Sequence, residues 1–151
     1  MIKTPQIIFA DQLGEAIAQH FKGRKSINCY VGSNAATPTA LIESLADAIK
    51  TGTPALPFMR MVHLLLQGSI PYLEEGLQGR VMAYSIFSGG EGRKAANRGH
   101  AYYLPCTLAN VDGLIGSGQR YQTDVALIKV TRNPHADEYS LGLSVEALHT
   151  A

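Results

Sequence analysis

The sequence has no tryptophan, two cysteines and few charges, with Asp, Glu, Lys and Arg making up 17% of its 151 residues. Each shortage excludes something. Two cysteines, Cys29 and Cys106, cannot build a disulfide framework. Cys29 sits in an apolar run and reads as a small core residue, while Cys106 follows Pro105 near an expected strand end. Both are expected to be free thiols in a reducing cytoplasm. Thirteen basic and twelve acidic side chains leave a net charge of +1. No basic block of the kind that tracks a phosphate backbone is present, so nucleic acid is not an expected partner. No apolar stretch approaches the roughly 20 residues of a membrane span, and the opening MIKTPQIIFADQ has too short an apolar run for a secretory signal. The five histidines show neither HxH nor HxxxH spacing and there is no CxxC, so no metal site is expected.

What is present is an apolar chain, 46% hydrophobic, long enough for one domain with a real core. The sparse charge suggests a surface partly covered by a second domain or subunit, although apolar atoms make up over half of any protein surface.

One stretch organises the rest. Ile27-Asn28-Cys29-Tyr30-Val31 suits a buried strand. Gly32-Ser33-Asn34 breaks it with residues that tolerate unusual backbone angles. Thr37 then reads as an N-cap with Pro38 at the first helical position. Strand, glycine turn and helix N-terminus together make a natural cradle for an anion. Residues 11–22 read as an earlier amphipathic helix closed by Gly23. After Pro38, Leu41, Ile42, Leu45, Ala48 and Ile49 fall on one helical stripe, with Glu43, Asp47 and Lys50 opposite. Gly52 ends that helix, and residues 53–57 read as a turn.

Further apolar runs follow at Arg60–Leu66, Val81–Phe87 and Asp124–Val130, with short strands expected at Ala101–Leu104 and Tyr139–Val145. Glu91–Arg98 and Thr107–Ile115 read as helices. Continuous apolar runs alternating with helical segments predict an α/β fold, an open and mainly parallel sheet with helices on both faces. In such sheets ligands bind beyond the carboxyl ends of the strands. Gly32–Asn34, Gln67–Ser69, Ser88–Gly90 and Pro105-Cys106 should therefore share one rim.

No activated nucleophile stands out. Gly32 lacks the three-glycine dinucleotide spacing, and Gly89 to Ala95 lacks the spacer and hydroxyl of a P-loop. His63, inside an apolar strand, reads first as a hydrogen-bonded core residue and second as a catalyst. Cys106 as a nucleophile would need a nearby base, and none stands in register. Arg93 and Asn97 share a helical face and either hold a carboxylate or fix the helix to its neighbour. Ser33 and Thr37 are either ligand donors or turn and cap residues.

Taken in order, the motifs resemble a known family. Val31-Gly32-Ser33 through Thr37-Pro38, Val62-His63-Leu64-Leu65-Leu66 with Gly68, Phe87, Gly89, Arg93, Ala95, Asn97 and Gly99 lead to Tyr103, Pro105 and Leu108. Asp124-Val125-Ala126-Leu127-Ile128, Ser140-Leu141-Gly142 and Ser144-Val145 complete the series. The order resembles the N-terminal domain of the acetyl-CoA hydrolase/transferase family, which includes acetate and 4-hydroxybutyrate CoA-transferases, over residues 11 to 149. The turn Asn133–Tyr139 departs from it by having no glycine, and Ser88–Gly92 by having more glycine than expected.

The resemblance implies a ping-pong acyl transfer in which a glutamate of a second domain attacks the acyl-CoA thioester. None of Glu43, Glu74, Glu75, Glu91, Glu138 and Glu146 stands at that position, so no catalytic residue is expected among residues 1–151. On this reading the chain is a single α/β domain, one wall of an acyl-CoA/carboxylate cleft, with its catalytic C-terminal domain on another piece or a partner subunit. The expected substrate-binding residues are Gly32, Ser33, Asn34, Thr37, Gln67, Gly68 and Ser69. Coenzyme A enters as a substrate with no tightly bound cofactor, the chain alone is expected to be inactive, and a covering surface left open predicts an oligomer. A stand-alone, non-catalytic module binding a small carboxylate or CoA is the alternative reading, and a hydrolase using Cys106 is a third.

Overall fold

The computed structural model describes residues 7–52 and 54–151. The opening residues MIKTPQ, part of the stretch read above as too short an apolar run for a secretory signal, and Thr53, read as part of a turn, lie outside the described residues.

Five strands form one sheet: β1 (Ser26–Val31), β2 (Phe58–His63), β3 (Val81–Ser85), β4 (Ala101–Tyr103) and β5 (Val125–Leu127). Every pairing is parallel, and the spatial order is β4-β3-β2-β1-β5. The chain therefore winds outward from β1 to β4 and then returns to lay β5 on the free side of β1. This reversal puts a topological switch point between β1 and β5, where open parallel sheets present ligand crevices. Helix α1 (Leu13–His20) precedes β1, while α2 (Thr39–Thr51), α3 (Gly90–Asn97) and α4 (Asp112–Ile115) lie in the connections β1–β2, β3–β4 and β4–β5, and a 3-10 turn at Pro71–Leu73 lies between β2 and β3.

Both sheet faces are covered, as the continuous apolar runs demand. One core joins Ile17 of α1, Ile42, Leu45 and Ile49 of α2 and Ala95 of α3 to Ile27, Cys29, Val31, Met59, Met61 and Ala83. The other gathers Tyr30, Val62, Leu64, Ile86, Val111, Ile115 and Tyr121 with Ala147 and Leu148 of the C-terminal tail. Alternate residues of β1 thus feed opposite cores, the period-two consequence of strand geometry.

Helix α2 is built as its pattern predicts. Ile42, Leu45 and Ile49 are buried and Glu43, Asp47 and Lys50 face water. Gly52 ends it in the left-handed conformation (φ 70°), and Arg80 Nη1 donates to the Ile49 carbonyl at 2.6 Å, satisfying one of the orphan carbonyls of the last turn. Helix α1 packs on α2 at Gly14, where a Cβ would stand 2.6 Å from the Cβ of Ala48. Asp124 ties β5 to β1 by accepting the Asn28 amide at 2.9 Å and pairing with Arg24 at 3.0 Å.

Several expectations change. Thr37 does not cap α2; a short 3-10 helix fills Asn34–Ala36, and Pro38 itself occupies the N-cap position. The run expected over Asp124–Val130 pairs with β1 over three residues only, Val125–Leu127. Beyond it, β6 (Thr131–Arg132) and β7 (Tyr139–Ser140) make a separate antiparallel hairpin, so the strand expected over Tyr139–Val145 shrinks to two residues. Gly142 (φ 74°) and Glu146 (φ 48°) turn the tail back over the second core instead.

Candidate functional site

The turns after β1 and β2 form one stitched rim. Asn34 N–H donates to the Leu65 carbonyl at 2.8 Å. Ser33 Oγ donates to the Val31 carbonyl and accepts the Leu64 amide, both at 3.1 Å. Thr37 Oγ1 donates to the Asn34 carbonyl at 2.8 Å and accepts the Gln67 amide at 3.2 Å. Ser33 and Thr37 are buried, and their hydroxyls hold the two turns together. Gly32 is buried and closely approached: its N–H donates to the Leu127 carbonyl at 2.9 Å, and a Cβ would stand a tight 3.3 Å from the Ala36 carbonyl oxygen. Of the seven residues expected to bind substrate, Gln67, Gly68 and Ser69 are exposed on this rim, Asn34 is half-buried, and Gly32, Ser33 and Thr37 lie beneath it.

The Asn34 side chain faces the switch point, where it meets a carboxylate of the chain itself. Asn34 Nδ2 donates to Glu146 Oε1 at 2.6 Å. Burial holds the Glu146 carboxyl above its ordinary pKa, against contacts from Asn34, Ser33 and Tyr30 that favour the ion. Its second oxygen, Oε2, is buried without a well-formed hydrogen bond, as is the Tyr30 hydroxyl beside it. Glu146 takes part in none of the ion pairs among the described residues. The side chain at the end of the β1 turn thus bonds a carboxylate of the chain itself.

A second feature opens at the carboxyl ends of β2 and β3. A cavity of about 210 Å³ is lined by His63, Leu66, Gly68, Ile70, Ser85, Phe87 and the residues Gly89 to Gly92 that open α3. His63 is 2% exposed. Its Nδ1 lies 3.3 Å from the Leu64 carbonyl, which sets Nδ1 as the protonated nitrogen in the neutral ring, while Nε2 has no partner in the protein. Burial lowers its pKa to about 4, so the ring is neutral at pH 7 and Nε2 is a hydrogen-bond acceptor. Ser85 Oγ donates to the Phe87 carbonyl at 2.9 Å and keeps lone pairs free. The cavity therefore combines buried acceptors with the donor-rich first turn of α3. His63 is both a core residue and a cavity wall, a combination that strand patterning alone could not show.

The remaining candidates resolve simply. Arg93 Nη1 donates to the Ser88 carbonyl at 2.9 Å and braces the start of its own helix, and Asn97 is exposed. Cys106 lines a separate cavity of about 370 Å³ with Leu104, Pro105, Ala109, Asn110, Gly113 and Leu114, none of which is a general base. Among the described residues no group of three or more His, Cys, Asp or Glu could hold a metal ion, and no helix is long and apolar enough to cross a membrane.

Comparison with known proteins gives this geometry its context. The chain is 32% identical over 124 residues, 82% of its length, to a succinyl-CoA:acetate/propanoyl-CoA:succinate CoA transferase of Fasciola hepatica. It is 35% identical over 86 residues, 57% of its length, to a 4-hydroxybutyrate coenzyme A transferase of Clostridium kluyveri. The chain spans only 25% and 20% of those two proteins. The crystal structure of RipA from Yersinia pestis superimposes on 86% of the chain with a TM-score of 0.69 at 23% identity, using 31% of RipA, which establishes likeness of fold. No protein-family model matches the chain. By sequence the chain is related to the CoA-transferase family, as a segment about a quarter the length of the relative it matches over most of its residues.

Proposed function

We propose that this chain is the N-terminal half of a CoA-transferase or acetyl-CoA hydrolase and forms one wall of its acyl-CoA/carboxylate cleft. The observation that carries this reading is the rim: the turns after β1 and β2 are stitched into one surface beside a switch point, and that surface already holds a carboxylate. The cavity of about 210 Å³ under Gly68 and Phe87 suits a short acyl group and is too small for the nucleotide end of coenzyme A. Coenzyme A and a small carboxylic acid are the substrates on this reading. The acid need not be acetate, since the printed activities of the relatives cover succinate, propanoyl and 4-hydroxybutyrate groups as well.

The chemistry requires a carboxylate nucleophile that can pass an acyl group from thioester to acid through covalent intermediates. Among the described residues Glu146 is tied to Asn34 at the rim with burial favouring its neutral form, and Glu91, at the cavity wall, pairs with Lys94. A glutamate on a second half is therefore part of the proposal, and that half covers the rim.

The test has two arms. The pure chain, given acetyl-CoA with acetate or succinate, should show no turnover and form no borohydride-sensitive thioester. Addition of acetate should shift the amide resonances of Ser33, Asn34 and Gln67 to Ser69. Turnover by the chain alone would overturn the division of labour. Unmoved rim resonances at saturating acetate would overturn the cleft.

A further inference from the structure

The C-terminal tail occupies the place where an open parallel sheet presents its ligand crevice. Leu148 packs within reach of Gly32, where a Cβ would stand 3.7 Å from its Cδ2, and Ala147 and Leu148 join the core around Tyr30. Glu146 completes the plug by placing its carboxylate on Asn34. Leu141 and Ala151 also pack against that core. The tail has no regular secondary structure, and Leu143 is 96% exposed.

Three features mark the contact as poised to open. Asn34 (φ 53°) and Glu146 (φ 48°) are the two non-glycine residues with positive φ among the described residues, and they are partners in the same hydrogen bond. Strain of this kind persists only where the surroundings impose it, and it collects at functional sites. Asn is suited to that conformation, whereas Glu is not. The Glu146 carboxylate also takes part in no ion pair among the described residues, and its Oε2 is buried without a well-formed hydrogen bond. Finally, the Tyr30 hydroxyl beside it is buried without a well-formed hydrogen bond, close enough to interact with the Glu146 carboxylate. A small free carboxylate in the same place could bond to both Asn34 and Tyr30 without the left-handed backbone that Glu146 adopts.

We propose that Asn34 and Glu146 form a displaceable latch, in which Glu146 is a built-in occupant of the β1 carboxylate cradle and a small free carboxylate takes its place, releasing the tail from Ser144 onward. This rests on the reading of the rim as a carboxylate site. Binding then needs two events, release of Glu146 and capture of the acid. The apparent affinity for the acid is lowered by the fraction of time the cradle is open, and the tethered competitor acts at a high effective concentration.

Acetate is the probe, followed by amide resonances at Ser33 and Asn34 and by hydrogen exchange at the Leu148, Thr150 and Ala151 amides, which are bonded within the tail. In the native chain acetate should accelerate exchange at those three amides. Glu146→Gly, which suits the left-handed backbone, should raise acetate affinity by about tenfold or more. Glu146→Gln, which keeps the side chain's shape, should raise it less. Asn34→Gly should weaken acetate binding while leaving the turn folded. Equal affinity of the native chain and Glu146→Gly, with tail exchange unchanged at saturation, would overturn the latch and leave the rim site standing. Absence of acetate binding at the turn in every variant would overturn both.

Discussion

Asn34 and Glu146, 112 residues apart in the chain, meet in a 2.6 Å hydrogen bond, each held in the left-handed backbone region. A hydrogen bond of this kind contributes about 0.5–1.5 kcal/mol, and more when one partner is charged, and a Cβ-bearing residue other than Asn pays about 1–2 kcal/mol for that backbone. Asn34→Ala loses the bond and acquires the strain, whereas Asn34→Gly loses the bond alone. The alanine variant should therefore unfold at lower urea than the glycine variant by about 1 kcal/mol. Equal midpoints would mean that backbone conformation at Asn34 contributes nothing.

His63 should give the protein a pH dependence of its own. Its pKa falls from 6.5 to about 4 on folding because burial disfavours the charged ring. Between those values the unfolded chain takes up a proton that the folded chain refuses. This contribution is complete above pH 6.5 and is lost as pH falls toward 4, amounting to roughly 3 kcal/mol. Glu146 works in the opposite sense: its raised pKa makes folding more favourable as pH falls through it. Urea unfolding at pH 7 and pH 4.5 should show a larger loss for the native chain than for His63→Gln. Parallel losses would place the acid sensitivity elsewhere.

The α1–α2 contact is tight enough to reverse a helix-propensity rule. Gly14→Ala gains about 1 kcal/mol of propensity, but the new methyl would stand 2.6 Å from Ala48 Cβ. Overpacking of this kind costs about 1–3 kcal/mol, so Gly14→Ala should lower the thermal midpoint. Adding Ala48→Gly should recover part of the loss, a coupling that a thermal-unfolding double-mutant cycle measures directly.

The two cysteines should report on the fold. Cys29 is fully buried in β1, and burial pushes its thiol pKa up to about 12. Cys106 is partly exposed. Iodoacetamide at neutral pH should add one group to the native chain, at Cys106, and a second only after denaturation. Labelling of Cys29 in the native state would show that β1 opens locally.

The strands were legible because a parallel sheet buried on both faces leaves continuous apolar runs, and β1 to β3 are such runs. The apolar stripe of α2 was equally plain. What the sequence concealed were relationships between distant residues. Thr37 precedes a proline like an N-cap, yet its hydroxyl bonds backward to Asn34 and forward to Gln67 across two turns. The run over Asp124–Val130 is apolar beyond its paired residues because Ile128 enters the second core after the backbone has left the sheet. Glu146 carries no local signal, since its meaning lies 112 residues upstream at Asn34. His63 reads as core on its strand, and only the approach of Ser85 and the opening of α3 makes it a cavity wall.

The strand order also dictates how the chain must be completed. Strand β1 lies at the sheet's interior, yet one of its neighbours, β5, is synthesised almost a hundred residues later, with Asp124 reaching back 96 residues to Asn28. Until then Cys29 to Val31 face outward with unpaired amides and carbonyls, a transient sticky edge on the growing domain. A nascent chain halted before Val125 should therefore be the aggregation-prone species. Addition of β5 converts that vulnerable edge into an interior strand of the sheet.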